Sequence, residues 1–267
     1  MRRDVTARLQ LSVTEPALFA LQIAVAQGAT AERLTLTLDD TVLPAPPQFD
    51  AGYGGRTQLL ECDPGTLVIE YVAQVDGRRA TPEPPSSPEM DQLVMLRPSR
   101  YCPSDRLLST ASREFGGIEG TDARITAVRN WVHDRLLYIS GSSKPTDDAV
   151  DTLLLGEGVC RDYAHLVVTL LRAQDIPARL VAVYAPGLFP MDFHAVVEAW
   201  NGSVWRLVDA TGLAPRESML RICTGRDAAD TAFLTTHRGT VELTSMQVMA
   251  IVDDLPREDL DAEVVLA

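Results

Sequence analysis

The stretch GEGVCRDYAHLVVTLLRAQDIPARLVAVY, residues 156–184, decides the reading of this chain. Two glycines, Gly156 and Gly158, precede Cys160, and they free the backbone to turn sharply. From Cys160 the apolar residues recur at helical spacing, which predicts a helix over 160–174 that Pro177 closes. ARLVAVY then reads as a buried strand. A cysteine that opens a helix faces unsatisfied backbone N–H groups and the positive end of the macrodipole, which favours thiolate over thiol. The same N–H groups are placed to bind an oxyanion formed when a thiolate attacks a carbonyl. On this position alone, a buried structural thiol, the commonest fate of a free cysteine, is the favoured reading of Cys160.

Downstream, HAVVEAW (194–200) and SVWRLVD (203–209) are apolar runs separated by Asn201-Gly202. Asn-Gly predicts a two-residue type I′ turn. That turn would set Trp200 opposite Ser203, Glu198 opposite Trp205, Val196 opposite Leu207 and His194 opposite Asp209. Opposed side chains share a face at a Cβ separation of about 4.5–5.5 Å, within reach of an imidazole–carboxylate hydrogen bond. The order Cys160, His194, Asp209 is that of an activated thiol with an oriented base. His165 lies about 500° around the helix from Cys160 and reads as a packing or hydrogen-bonding histidine. His133 reads as a solvated or capping residue, and Asp162 as a complement to the helix dipole.

Working outward, SDRLLSTASREF and TDARITAVRNWVHDRLLYI carry helical spacing. In the second, Ile125, Val128, Trp131, Val132 and Leu136 form one stripe behind Thr121 and Asp122 as cap residues. VELTSMQVMAIVDD adds a further strand, expected in the same sheet as the others. Helices followed by a largely antiparallel sheet make an α+β domain. Residues 1–80 instead read as short strands: ARLQLSV, the region of LFALQIAVA, and RLTLTLDD with Leu34, Leu36 and Leu38 on one face. QLLECDPGTLVIEYVAQVDG reads as a hairpin turning at Asp63-Pro64-Gly65. These predict a small β-sandwich. TPEPPSSPE is a proline- and serine-rich linker, so the expected division is 1–80, a linker over 81–90, and a second domain over 91–267.

Composition narrows the function. The chain has 267 residues, 46% hydrophobic and 23% charged, with a formal net charge of -13. Such a balance opposes non-specific nucleic-acid binding. No apolar run nears the roughly 20 residues of a membrane span, and the MRRDVTARLQLSV start lacks the apolar core of a signal peptide, so no membrane partner and a cytoplasmic location are expected. Cys62, Cys102, Cys160 and Cys223 are widely spaced, without CxxC, and the four histidines form no HExxH. Neither a disulfide framework nor a metal or other cofactor is expected.

The Cys160 block with its IPAR segment, then HAVVEAW and WRLVDAT, resembles the core of the bacterial transglutaminase-like superfamily. GRDAAD (225–230) is similar to a short signature that follows that core, and the resemblance spans about residues 91–250. It implies a papain-like helix-on-sheet arrangement behind an N-terminal β-domain, with Cys160 as nucleophile, His194 as base and Asp209 as orienting acid. The family usually has an aromatic residue two places after the histidine, where this chain has Val196. Tyr138 is the candidate second oxyanion donor. The implied chemistry is attack on a peptide or protein amide to give a thioester. Water resolves it in a protease or amidase and an amine in a transglutaminase; hydrolysis is favoured because nothing marks a lysine-binding site. A non-catalytic interaction module on the same fold is the rival.

Overall fold

A computed structural model describes residues 1–77, 86–260 and 262–266. The first part is a β-sandwich. One sheet orders the strands Val241–Val252, Arg2–Val13, Gly65–Asp76, Ala29–Leu38 and Thr41–Val42; the other orders Leu234–Arg238, Ala17–Leu21, Gly55–Cys62 and Gln48–Gly52. Burial alternates along Arg2–Val13, so Val5, Ala7, Leu9 and Leu11 point inward and meet Phe19 and Leu21 of the opposite sheet. This period-two pattern is what a half-buried strand requires.

Two strand expectations are corrected. Asp63-Pro64-Gly65 is not a hairpin turn, because Gly55–Cys62 and Gly65–Asp76 lie in different sheets. Beyond the turn the Thr66 N–H donates to the Asp39 carboxylate and the Asp39 N–H to the Thr66 carbonyl, which commits the chain to the facing sheet. Residues 241–252 do not join the sheet of the α+β part. They pair antiparallel with Arg2–Val13 along their whole length and turn Val248 and Ala250 into the sandwich core. Without them the Arg2–Val13 strand would leave its backbone groups unpaired on that side. Strand pairing therefore crosses the expected boundary, and the unit foreseen over 91–267 returns into the N-terminal sheets. Of the expected linker, residues 81–85 lie outside the described residues, and its end is helical: Pro88–Val94 begins behind Ser87, whose hydroxyl accepts the Met90 N–H.

The remainder is α+β. An antiparallel sheet orders Trp205–Val208, Phe193–Trp200, Ala178–Tyr184 and Leu220–Gly225. The helix Cys160–Arg172 packs on it, with Leu166, Val167, Leu170 and Leu171 buried among Ile125, Val128 and Val132 of the helix Thr121–Arg135. That second helix starts behind Gly120, without a side-chain cap hydrogen bond from Thr121 or Asp122. The opposite face of the sheet holds Val181, Val183, Val196 and Leu207, covered by Val264 and Leu266 of the C-terminal segment. Val196, the departure from the family pattern, thus packs beneath that segment. The sandwich core extends into the α+β part, since Tyr184, Leu220 and Ile222 pack with the sandwich residues.

Candidate active site

Cys160 is the first residue of its helix, as its sequence predicts. The two glycines before it serve different ends. Gly156 ends the helix Ala149–Leu155 at φ +72°, and a Cβ on Gly158 would come within 2.7 Å of the Asp162 side chain. Asp162 is buried; its carboxylate accepts the Val159 N–H at 2.9 Å and pairs with Arg161 at 2.9 Å. This ties down the first helical turn. The Cys160 thiol is half-buried, whereas Cys62, Cys102 and Cys223 are buried. Burial pushes the Cys102 and Cys223 thiols up to about 12 and also raises Cys62, holding all three protonated at neutral pH.

His194 and Asp209 are brought together, but not by the expected turn. The observed register pairs Trp200 with Trp205, Glu198 with Leu207 and Val197 with Val208, two residues away from the expected one. A type I′ turn needs φ > 0 at both central residues. Gly202 has φ +108°, but Asn201 is not among the residues with positive φ. Instead the Asn201 carboxamide oxygen accepts the N–H groups of Ser203 and Val204, closing a longer loop, and its NH₂ donates to Asp122 and Glu263. Because side chains alternate with period two, a slip of two keeps every residue on its face. His194 and Asp209 become diagonal neighbours, and His194 Nε2–H still donates to Asp209 Oδ2 at 2.9 Å.

The pair is electrostatically committed. Both residues are buried. Burial favours a neutral imidazole, but the charge and hydrogen bond of Asp209, and then Cys160, outweigh it and raise the His194 pKa to about 10. Asp209 is held below the ordinary carboxylate value: burial opposes ionisation, and His194 and Thr211 overcome it. Thr211 is a site residue that sequence reading missed. Its hydroxyl donates to Asp209 Oδ1 at 2.7 Å and its N–H at 2.8 Å, fixing the carboxylate. The spacing Asp-x-Thr ahead of Gly212 was the available signal, since Asp commonly accepts the N–H two residues on. His133, partly solvated as expected, donates from Nδ1 to the Ala210 carbonyl at 2.8 Å and anchors the same loop.

Tyr138 lies in a short parallel pair with Glu157-Gly158. Burial raises its hydroxyl pKa to about 12, with the Cys160 charge next in size; its hydroxyl neighbours the Cys160 thiol and backbone N–H. His165 is buried, stacked on Tyr101 at 5.1 Å, and accepts the Ala228 N–H at Nε2. Burial lowers its pKa to about 4, so it is neutral and structural. The GRDAAD segment is structural too: buried Asp227 accepts the N–H groups of Tyr101 and Ala229. Cys160 and His194 line one cavity of about 530 Å³. Among the described residues no group of three or more His, Cys, Asp or Glu is arranged to hold a metal ion, and no helix is long and apolar enough to cross a membrane.

Residues 109–210 match the model of the transglutaminase-like superfamily. The solved structure of a Cytophaga hutchinsonii protein, provisionally assigned as a cysteine protease, superposes with a TM-score of 0.87 at 32% identity, over 98% of this chain and 96% of that one. The chain belongs to the transglutaminase-like superfamily. An uncharacterized Mycobacterium leprae protein is 27% identical over 149 residues, 52% of each chain, so this transglutaminase-like chain spans about half the length of the curated relative it matches. The near-complete match to the Cytophaga protein extends the family likeness over the sandwich as well as the α+β part.

Proposed function

We propose that this protein is a thiol-dependent amide hydrolase in which Cys160, His194 and Asp209 act as nucleophile, base and orienting acid. One observation carries the reading. His194 is buried, bonded through Nε2 to Asp209, has no hydrogen-bond partner at Nδ1 among the described residues, and shares a cavity with the only thiol that is not buried. A ring held by one nitrogen and free at the other is built to exchange a proton with the thiol. The likeness to the Cytophaga protein supports the same class of chemistry and a peptide or protein amide as substrate.

The proposed reaction has two halves, acylation and hydrolysis. The Cys160 sulfur attacks the amide carbon while its proton resides on His194. Charge moves to the carbonyl oxygen, for which the Cys160 N–H and the Tyr138 hydroxyl are the proposed donors. The C–N bond breaks as His194 protonates the leaving amine, giving a thioester. Water then attacks, its proton passing to His194, and the carbon–sulfur bond breaks to release the acid and regenerate the thiol. Mass spectrometry of the protein mixed rapidly with an activated amide tests this. The expected result is an acyl adduct on Cys160 that water discharges. An unmodified Cys160 alongside full folding would make the chain an interaction module, and discharge only to an added primary amine would make it an acyltransferase.

A further inference from the structure

The cavity beside Cys160 is walled from two sides. Leu180, Ala182 and Phe193 come from the α+β sheet, and Leu234 and Met246 from the two sheets of the sandwich. Its volume, about 530 Å³, falls in the range of roughly 300–1,000 Å³ seen for sites that enclose a ligand. Most of its polar groups are committed inward. Gln22 donates to the carbonyls of Asp230 and Ala232, and Arg161 is held by Asp162, Ser143 and the Lys144 carbonyl. Asp192, two residues before His194, differs. Its carboxylate accepts the N–H of Phe193; partial burial raises its pKa against that bond and the nearby His194, and no ion pair within 4.0 Å reaches it among the described residues. It stands exposed at the mouth of an apolar chamber that opens on the thiol.

We propose that this cavity is the side-chain subsite of the acyl donor, taking a bulky apolar residue beside the attacked amide, with Asp192 favouring a basic over an acidic neighbour. The proposal rests on the reading of Cys160 as nucleophile. A largely apolar chamber whose Gln22 and Arg161 side chains are already engaged disfavours polar side chains away from the thiol and His194, because their own groups would go unpaired. It rewards apolar ones in proportion to the area they bury. The unpaired carboxylate at the rim and the net charge of -13 both disfavour acidic segments. The subsite also gives the sandwich a task, because its residues form one wall and set the depth of the pocket.

A panel of peptide amides tests this, varied at the acyl-donor residue and at its neighbour. Hydrophobic pockets discriminate by about 10–200-fold per methylene, so phenylalanine or leucine should exceed glycine by at least about 100-fold in kcat/KM. Ala182→Trp, which fills the chamber from the core side, should invert that ranking toward glycine and alanine. Met246→Ala, which deepens it from the sandwich side, should raise tryptophan relative to leucine. Asp192→Asn should reduce the preference for a lysine over a glutamate neighbour several-fold, an effect that salt also weakens. An inverted ranking cannot arise from loss of folded protein. A panel hydrolysed without regard to side chain, or a ranking unchanged in both cavity variants, overturns the subsite. Iodoacetamide labelling separates the two levels. Fast labelling of Cys160 with a flat panel removes the subsite alone, whereas slow labelling removes the nucleophile and the subsite with it.

Discussion

Two clusters of buried charge lie on the same four-stranded sheet, and they are finished differently. At one, Glu198 receives Arg179 and Arg221, Arg179 also reaches Asp91 of the helix Pro88–Val94, and the Asp91 carboxylate accepts the Tyr53 hydroxyl. Trp205 lies against the Arg179 guanidinium at 3.9 Å. Both carboxylate oxygens of Glu198 are taken, and the cluster joins sheet, helix and sandwich into one body. At the other, His194 and Asp209 form a pair whose carboxylate is saturated by Thr211 but whose imidazole keeps one nitrogen unbonded beside a cavity. A structural cluster of buried charge leaves few polar atoms idle, because each costs free energy. Each cluster keeps one such atom, Arg221 Nε in the first and His194 Nδ1 in the second, but only His194 lines the cavity that it shares with the Cys160 thiol. The contrast supports the proposed role for His194 and gives Glu198 a part in architecture, although both are charged and buried.

Substitutions should separate the two. The largest effect is expected from Cys160→Ala, a loss of amide hydrolysis of about 10⁴-fold or more with an unchanged thermal midpoint. Glu198→Ala leaves two guanidinium groups buried without their carboxylate and should destabilise by about 3–5 kcal/mol in denaturant titration. If it lowered activity at unchanged stability, the division between the clusters would fail. Asp209→Asn should reduce kcat/KM by about 10²–10⁴-fold, through loss of imidazole orientation, while the protein stays folded. Thr211→Val removes one hydrogen bond to Asp209 and should cost about 1 kcal/mol, with a few-fold fall in kcat.

A pH titration of stability sharpens the same comparison. The His194 pKa rises from an ordinary 6.5 to about 10 on folding, so its contribution is complete below about 6.5 and disappears as pH climbs through 10. Asp209 is lowered from 3.8, so its contribution is complete above that value and fades as pH falls through its folded pKa. The pair is therefore at full strength between those limits. In Asp209→Asn the alkaline loss should be smaller than in the unaltered protein.

Much of this was legible in the sequence. The helix opening at Cys160, the antiparallel strands that follow it and the sandwich all rest on local signals: glycines, caps and apolar periodicity. His194 and Asp209 were matched through a turn that does not form, and the match survived because an even slip preserves the face. The turn itself was illegible because Asn201 closes its loop with its side chain, braced by Asp122 and Glu263 from distant segments. The return of residues 241–252 to the first strand was hidden for the same reason. An alternating strand declares which face it buries but not which edge it completes. Thr211 is signalled only by the Asp-x-Thr spacing, and Asp192 carries no pattern of its own; the fold places the one against Asp209 and the other beside His194.

The central claim is that one thiol of four is activated by its histidine. Alkylation of the native protein by iodoacetamide at pH 6, read cysteine by cysteine through peptide mapping, tests it directly. Cys160 should react at least about 100-fold faster than Cys62, Cys102 or Cys223, and His194→Ala should remove the advantage. Equal rates at all four thiols, or a Cys160 rate untouched by His194→Ala, would contradict it.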